Sequence, residues 1–339
     1  MIVDVHTHLY PEAYVSRLAG APELVLEPDG AGRVFRYQGA RVFSVPEPNR
    51  TPEQRLEQMD AAGVDAQVLS LGTPNVYVAD LDESRVLATL TNDILAEVSR
   101  TYPTRFRALA SLPLGRIDDA LRELERAVGD LGMDGVQLGT SYRGEFFDAP
   151  RFAPLLEELD RLAVPVFLHP VPRRDLAAGQ DYGLCMLVEY PVDTALAVAR
   201  LIFSGVLDRF PRIPWILSHV GGVLPFLQGR LDFGHRVFPE CRGPAAPPSS
   251  YLQRLYYDTV SSNHPPALAC AVASVGAGQL LFGTDCPHNP ADAGLADLRA
   301  LALLDDAARD AILGGTALRL FPRLAARVSP AARPTAPAG

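Results

Sequence analysis

Short apolar segments recur along the chain and alternate with segments in which apolar residues are spaced three and four positions apart. The short segments are rich in Val, Leu, Ile and Phe and are bounded by polar residues, Gly or Pro, which is typical of fully buried parallel strands. Eight strands are predicted, at Ile2–Val5, Ala66–Leu69, Phe106–Leu109, Gly135–Leu138, Val164–Leu168, Pro214–Leu217, Leu255–Tyr257 and Leu280–Phe282. The helices predicted between them include Glu53–Ala62, Glu83–Tyr102, Ile117–Asp130, Phe152–Ala163, Thr194–Phe203 and Pro265–Val275.

Eight strands that alternate with helices predict an α/β protein with a TIM-type (β/α)₈ barrel. A doubly wound open sheet is the structural alternative, because alternation by itself does not establish closure. We expect residues 1–324 to form one barrel domain.

Two regions interrupt the alternation. Residues 10–50 are too long for a βα loop, and Val34–Tyr37 and Arg41–Phe43 on either side of Gly39 predict a small β-hairpin inserted after the first strand. We interpret this insertion as a lid on the catalytic face. Residues 325–339 are rich in Ala and Pro and are predicted to be a disordered tail.

Composition narrows the classes of function. The formal charge of -9 argues against nucleic acid and anionic membranes as partners. Four cysteines without a CxxC pair, no signal peptide and no membrane span predict a cytoplasmic protein with reduced thiols. The chain contains no lysine, which excludes a lysine Schiff base, a lysine-bound PLP, a phosphate-loop lysine and a carbamylated lysine bridging two metals.

The candidate chemistry lies at the ends of predicted strands. His6 and His8, one residue apart at the end of the first strand, point to the same side and can both reach one cation, although a surface pair is the alternative. His169, His219 and Asp285 follow the fifth, sixth and eighth strands. In a parallel barrel these ends converge on one face. Imidazole and carboxylate without thiolate fit zinc, manganese or iron(II).

The motifs HTH, FLHP, LSHVGG and GTDCPH occur in this order at predicted strand ends. In these motifs the chain resembles the amidohydrolase superfamily, in the branch of aminocarboxymuconate-semialdehyde decarboxylase and related metal-dependent decarboxylases, from Met1 to about Leu324. The resemblance implies one divalent metal, Zn²⁺ as the first expectation and Mn²⁺ as the alternative. It implies that the metal is bound by His6, His8, His169 and Asp285. It further implies His219 as a proton carrier, with Asp285 as a second catalytic group.

Two arginines stand where the family decarboxylase holds a substrate carboxylate. Arg36 lies in Val34-Phe35-Arg36, and Arg230 follows Gly229 in the segment after the sixth strand. The planar guanidinium donates two parallel hydrogen bonds to a carboxylate, although a surface arginine is the default interpretation. In the family the second arginine enters the neighbouring subunit's site, so Arg230 implies a homodimer.

The chain also departs from the family pattern. Arg173 and Arg174 lie in a stretch where the decarboxylase is rich in aromatic residues, and His288 replaces an aromatic residue after the metal-binding aspartate. Asp258 ends the seventh strand, where it either lines the pocket or is a buried structural carboxylate. The roles of these four residues stay open.

The leading functional hypothesis is non-oxidative decarboxylation of a small unsaturated or hydroxyaromatic carboxylic acid. Protonation of the adjacent sp² carbon creates the sink for the electron pair that carbon dioxide leaves behind. The alternative is a hydrolase or hydratase in which the metal activates water toward a lactone, an amide or a C=C bond. A non-catalytic zinc-stabilised or small-molecule-binding barrel is the third hypothesis, disfavoured because structural zinc sites are usually thiolate-rich.

Overall fold

The computed structural model describes residues 1–21, 24–30, 32–37, 39–45, 51–77, 80–172, 181–261 and 264–325. The strands within these ranges are β1 Val3–His8, β2 Leu24–Asp29, β3 Gly32–Tyr37, β4 Ala40–Val45, β5 Ala66–Ser70, β6 Phe106–Ser111, β7 Gly135–Gly139, β8 Val166–His169, β9 Trp215–Leu217, β10 Tyr256–Asp258 and β11 Leu280–Leu281. The α-helices are α1 Glu12–Leu18, α2 Pro52–Ala62, α3 Leu81–Thr101, α4 Ile117–Glu125, α5 Ala153–Leu162, α6 Tyr190–Phe203, α7 Val206–Arg209, α8 Leu224–Val237, α9 Pro248–Leu252, α10 Pro265–Val275, α11 Leu295–Ala300, α12 Asp306–Asp310, α13 Thr316–Leu320 and α14 Pro322–Ala325.

Eight parallel strands form the central sheet, in the order β1-β5-β6-β7-β8-β9-β10-β11. The last strand returns to the first, because Val5 N–H donates to the carbonyl of Phe282 at 2.9 Å. The predicted TIM-type barrel is therefore confirmed, and the open-sheet alternative is wrong. The carboxyl ends of all eight strands lie on one face of such a barrel.

The core has two layers, one inside the barrel and one between the barrel and its helices. Apolar side chains from six barrel strands fill the inner layer, among them Val3, Val5, Phe167 and Ile216. Phe321, between α13 and α14, joins this inner cluster next to the start of β1. The larger outer layer packs the remaining strand residues against the helices. Both faces of these strands are buried, which is why they read as continuous apolar runs.

The insertion after β1 is a three-stranded antiparallel sheet in the order β2-β3-β4. The predicted hairpin corresponds to β3 and β4, whereas β2 and the helix α1 were not predicted. Pro28 and the charged residues of β2 interrupt any apolar alternation, and an edge strand tolerates proline because its outer side makes no ladder hydrogen bonds. Phe35 stacks on Phe43 with ring centroids 4.5 Å apart, and Phe43 lies 5.4 Å from Tyr10. The small sheet thus packs beside the carboxyl end of β1.

Residues at both ends of α2, the helix that follows the insertion, determine where this helix begins and ends. The Thr51 side chain accepts a hydrogen bond from Gln54 N–H in a capping box, and Pro52 occupies the first turn of α2. Gly63 ends the helix in the left-handed conformation, at φ 71°. α2 is the helix through which the insertion rejoins the barrel.

Some of the predictions from the sequence concern residues that the structure does not describe. Ala325 ends α14, while the rest of the predicted tail, and Arg173 and Arg174, lie outside the described residues. The extent of the barrel domain, residues 1–324, stays a prediction. In the described ranges no helix combines the length and apolarity needed to cross a membrane.

Candidate metal centre

Four predicted metal ligands meet at the carboxyl end of the barrel. One ligand atom from each of His6, His8, His169 and Asp285 lies within 4.8 Å of the others. The Nε2 atoms of His6 and His8 are 3.1 Å apart, and Asp285 Oδ1 lies 3.3 Å and 3.2 Å from them. The three histidines are buried and Asp285 is largely buried. The structure therefore brings together every residue that the sequence suggested as a metal ligand.

The course of β1 explains why His6 and His8 face the same point. Alternate residues of a strand project to opposite faces, so His6 and His8 share one face. Thr7 points the other way, where its Oγ1 donates to the carbonyl of Val68 at 3.1 Å. The pairing of β1 with β5 shifts register between Asp4 and Thr7, and such irregularities re-aim side chains at barrel rims.

Each ligand histidine has a partner for its Nδ1 atom. His6 Nδ1 lies 2.5 Å from Asp258 Oδ2, and His8 Nδ1 lies 2.9 Å from Ser70 Oγ. His169 Nδ1 lies 2.9 Å from the carbonyl of Pro170. Outer partners of this kind fix the orientation and tautomer of a metal-binding imidazole. The Nε2 atoms of His6 and His8 thereby face Asp285 Oδ1, and the other ring nitrogen of His169 is left for the same cluster.

Asp258 is the outer partner whose role the sequence left open. Its Oδ1 accepts hydrogen bonds from the backbone N–H groups of Val220 at 3.1 Å and Val260 at 3.0 Å. These bonds fix the carboxylate, which is fully buried, and its Oδ2 holds His6. Of the two interpretations the sequence left open, the buried structural carboxylate is the one that these contacts support.

The donor set fits a divalent cation. Nδ1 protons directed outward leave the Nε2 lone pairs facing Asp285 Oδ1, which is buried and accepts no hydrogen bond within the described part of the chain. Converging lone pairs repel one another unless a positive charge lies between them. Three imidazoles and one carboxylate oxygen, without thiolate, suit zinc and manganese.

Burial and charge divide the histidines into two kinds. Burial lowers the pKa of His6, but the negative charges of Asp285 and Asp258 outweigh burial and raise that pKa to about 10. Burial lowers the pKa of His8 to about 3 and holds the pKa of His169 well below its usual value. Without a metal, these shifts favour the protonated, positively charged form of His6 and the neutral forms of His8 and His169.

His219 lies beside the cluster on a tight turn. Its Nε2 atom is 3.8 Å from Asp285 Oδ2, and its ring centroid is 5.1 Å from that of His6. His219 and Val220 are both in the left-handed region, at φ 54° and 57°, a costly conformation for residues with side chains. A Cβ on Gly222 would lie 2.0 Å from the carbonyl oxygen of Pro191, so the LSHVGG turn requires glycine there.

The two arginines do not join the cluster. Arg36 Nε donates to Glu27 Oε2 at 2.9 Å and its Nη1 donates to the carbonyl of Gly39, so its guanidinium is engaged within the small sheet. Arg230 is exposed on α8, and its side chain has no ion pair or hydrogen bond to any other described residue. Their predicted contact with a substrate carboxylate stays a prediction.

Sequence reasoning missed a polar contact on the side of the cluster next to His8. Tyr10 is buried, and its hydroxyl lies 3.1 Å from His288 Nε2. The His288 ring centroid is 5.9 Å from that of His8. His288, which stands where the family decarboxylase has an aromatic residue, therefore lies close to the metal cluster. Burial raises the pKa of Tyr10 well above its usual value, so this hydroxyl keeps its proton. No spacing rule in the sequence connects these two residues.

A buried arginine supports β1 from behind. The Arg55 side chain is fully buried, and Nη2 donates to the carbonyl of His8 at 2.8 Å while Nη1 donates to Gln67 Oε1 at 3.3 Å. Gln67 in turn donates to Asp4 Oδ2 at 3.2 Å. Arg55 lies one turn from buried Met59 on α2, and an arginine on the apolar face of a helix is the signal that could have identified it.

Comparison with known proteins identifies the family. The family model described as Amidohydrolase matches residues 3–323, and the chain belongs to this family. The 2-amino-3-carboxymuconate-6-semialdehyde decarboxylase of Dictyostelium discoideum is 31% identical over 275 residues, 80% of this chain and 76% of that protein. The gamma-resorcylate decarboxylase of Rhizobium radiobacter is 34% identical over 256 residues, 71% and 78% of the respective chains.

Solved structures agree with this assignment. A dihydroxybenzoic acid decarboxylase from Polaromonas sp. JS666, with bound manganese and the inhibitor 2-nitroresorcinol, matches with a TM-score of 0.78 and 26% identity. The match covers 95% of this chain and 96% of that one. The predicted branch of the superfamily is confirmed. The predicted enzyme class, a carboxy-lyase, is confirmed at the level of the family.

Asp258→Asn should weaken metal binding by about 10- to 100-fold, because a neutral amide supports the basicity of His6 less than a carboxylate does. The measurement is titration of the metal-free protein against a chromophoric chelator. Asp232→Asn is the matched control, since Asp232 also accepts a backbone N–H, from Ser249 at 2.9 Å, but belongs to α8. Equal metal affinity in the two variants would contradict the orienting role of Asp258.

Metal affinity should rise with pH, because a cation must displace the proton that His6 retains up to its pKa of about 10. Between pH 6 and pH 8 we expect roughly tenfold tighter binding per pH unit, with about one proton released per metal bound. Calorimetry in two buffers of different ionisation enthalpy measures the released proton directly. Affinity that is independent of pH would mean that His6 is already deprotonated.

Proposed function

We propose that this chain is a mononuclear-metal-dependent, non-oxidative decarboxylase of an unsaturated or hydroxyaromatic carboxylic acid. The observation that carries the proposal is the cluster of His6, His8, His169 and Asp285 with His219 at its opening. Relatives with 31% and 34% identity are decarboxylases of such acids. The substrate is a small molecule, and the charge of -9 gives no support to a nucleic-acid or membrane partner.

The residues of the site can move the proton that the reaction needs. The substrate carbon that bears the carboxylate gains a proton, the C–C bond breaks, and its electron pair returns to the conjugated system as carbon dioxide leaves. His219 is the proposed proton carrier, since its side chain is one-fifth exposed at the opening of the cluster. Asp285 is the proposed second proton-holding group, because Oδ2 faces His219 while Oδ1 faces the other ligands.

The cofactor we propose is one divalent cation held by His6, His8, His169 and Asp285. When bound, it supplies Lewis acidity and positive charge at the barrel mouth. The ligand set supports Zn²⁺, the first expectation from the sequence, and equally Mn²⁺, which the Polaromonas decarboxylase contains. Elemental analysis of the purified protein distinguishes the two.

We further propose that the protein is a homodimer in which α8 lies at the interface. Phe226, Arg230, Phe233 and Val237 recur at spacings of four, three and four residues, so they share one face of α8. All four are exposed, Phe226 at 79%. An apolar stripe of this kind is typical of an interaction surface. It supports the predicted role of Arg230 in the partner's site.

The protein is proposed to be cytoplasmic. All four cysteines, at Cys185, Cys241, Cys270 and Cys286, are free thiols in the structure. Reduced thiols are typical of proteins in a reducing compartment. Fractionation of the native host cell tests this location.

The purified protein should contain one divalent metal per chain and release carbon dioxide from unsaturated or hydroxyaromatic acids. A chelator should abolish the release, and the added metal should restore it. His219→Ala should lower kcat by roughly a hundredfold or more with the metal content unchanged. Loss of metal in this variant would make His219 a ligand. One metal per chain with no carbon dioxide from any acid would contradict the decarboxylase.

Mixing two inactive variants tests the role of Arg230 across the interface. If Arg230 serves the partner's site, a dimer of His219→Ala with Arg230→Ala contains one site with both side chains intact. Random exchange of subunits should therefore restore about a quarter of the wild-type activity. Subunits are mixed under mild denaturant, and kcat is measured after refolding, with each variant alone as the control. No recovery would mean that both residues act in the same chain.

A further inference from the structure

The metal ligands come from the first and the last strands of the barrel. His6 and His8 lie on β1, whereas Asp285 follows β11. Backbone hydrogen bonds join the two segments at this point: Asp285 N–H donates to the carbonyl of His6 at 2.8 Å, and His8 N–H donates to the carbonyl of Cys286 at 2.7 Å. The distances between the ligands therefore depend on how β1 and the segment after β11 are held together where the barrel closes.

The Asp4 carboxylate crosses this join. Its Oδ1 accepts hydrogen bonds from the backbone N–H groups of Thr284 at 3.0 Å and His6 at 3.2 Å. Its Oδ2 accepts from Thr284 Oγ1 at 2.6 Å and from Gln67 Nε2 at 3.2 Å. Thr284 directly precedes the ligand Asp285. One fully buried side chain is thus bonded to both of the segments that carry ligands.

Gln67 connects Asp4 to a buried arginine on α2. Gln67 Oε1 accepts a hydrogen bond from Arg55 Nη1 at 3.3 Å, and Arg55 Nη2 donates to the carbonyl of His8 at 2.8 Å. A carboxylate only accepts and a guanidinium only donates, so these two neighbours fix the orientation of the Gln67 amide. Within the described part of the chain, Arg55 makes no direct ion pair. The negative charge of Asp4, on the far side of the amide, balances its buried positive charge.

We propose that three residues, which form the Asp4 network, are positioning residues of the metal centre: Asp4, Gln67 and Arg55. Their hydrogen bonds reach the backbone next to the ligands and hold Asp285 Oδ1 at 3.3 Å and 3.2 Å from the Nε2 atoms of His6 and His8. Ligands that are already in place need little ordering when a cation binds, which raises affinity. The proposal rests on the proposed metal-dependent function and adds residues that do not themselves bind the metal.

Asp4→Asn tests the network because it keeps the shape of the side chain. With its oxygen toward the two backbone N–H groups, the new amide turns a donor toward Gln67 Nε2. Either these two donors oppose each other, or the Gln67 amide turns over and loses its contact with Arg55. Affinity for Zn²⁺ or Mn²⁺ should fall by about 10- to 100-fold, measured by competition with a fluorescent chelator. Unchanged affinity would overturn the proposal.

Asp134→Asn is the matched control. Asp134 is also a buried carboxylate bonded to a buried arginine, since its Oδ2 accepts from Arg107 Nε at 2.6 Å. It directly precedes β7 and so lies at the amino end of the barrel, opposite the cluster. Asp134→Asn should lower the unfolding temperature of the metal-free protein and leave metal affinity unchanged. Equal losses of affinity in both variants would mean that Asp4 acts only through overall stability, and the proposal would be wrong.

Exchange of the amide and the carboxylate is the sharpest test. In the double variant Asp4→Asn/Gln67→Glu, the new carboxylate accepts from the new amide and from Arg55 Nη1. The hydrogen bonds among the three residues and their net charge are then restored. Gln67→Glu alone places a second carboxylate against Asp4 and should weaken metal binding, whereas the double variant should recover most of the lost affinity. Losses that simply add would show that the two residues act independently, against the network.

Thr284→Val keeps the test valid if Asp4→Asn does not fold. It removes the donor at 2.6 Å from Asp4 Oδ2 and leaves the other three hydrogen bonds of Asp4 in place. Metal affinity should fall by less than in Asp4→Asn. Hydrogen exchange of residues 282–288 in the metal-free protein should become faster, because fewer bonds hold this segment to β1. Exchange and affinity that both match the wild type would overturn the proposal.

The outcomes separate this proposal from the function on which it rests, because metal affinity and hydrogen exchange are measured without substrate. Weaker metal binding in Asp4→Asn that the double variant restores would support the network even if no acid released carbon dioxide. Metal-dependent release of carbon dioxide, with the metal affinity of Asp4→Asn unchanged, would support the function and overturn the network.

Discussion

Three imidazole rings at the mouth of this barrel direct their Nε2 lone pairs to one point, and a carboxylate oxygen joins them there. Lone pairs brought this close repel one another unless a proton or a cation lies between them. The rest of the site follows from that requirement. Asp258, Ser70 and the Pro170 carbonyl hold the three Nδ1 atoms outward. The raised pKa of His6 shows how strongly the two neighbouring carboxylates favour positive charge at this place.

A second polar network lies behind β1. It links the side chains of Thr284, Asp4, Gln67 and Arg55 by hydrogen bonds and so includes two ionisable groups that are buried. Asp4 is fully buried, and burial raises its pKa to about 7 although Thr284 Oγ1 donates to it at 2.6 Å. Arg55 reaches the same network through Gln67 and also binds the His8 carbonyl. Buried charged groups persist when hydrogen bonds satisfy them, and such networks favour one arrangement of the backbone over others. The strand that presents two ligands is thus connected both to the segment that follows β11 and to α2.

The surroundings of the cluster differ on its two sides. The side next to His8 carries Tyr10 and His288, whereas the side beyond His219 opens into an apolar groove without charged residues among its described lining. A ligand anchored at the cluster meets hydrogen-bonding groups in one direction and hydrocarbon in the other.

The sequence by itself determined the barrel and the residues that meet at its mouth. Buried parallel strands read as apolar runs, and the order of HTH, FLHP, LSHVGG and GTDCPH places each ligand at a strand end. Strand ends converge in any closed barrel, so His6, His8, His169, His219 and Asp285 could be expected at one face, and the family resemblance implied which four of them bind the metal. The edge strand β2 was missed because Pro28 and its charged neighbours carry no strand pattern.

Only the tertiary structure decided what surrounds those residues. The contacts of Asp258 with His6, Tyr10 with His288 and Arg55 with His8 join positions 252, 278 and 47 residues apart. The ion pair of Arg36 with Glu27 across the small sheet is likewise a contact that no motif announces, and the predicted role of Arg36 at a substrate carboxylate stays a prediction. Periodicity and motifs report on neighbours along the chain, whereas hydrogen-bond partners and groove walls depend on how separate segments pack. That packing has no local signature in the sequence.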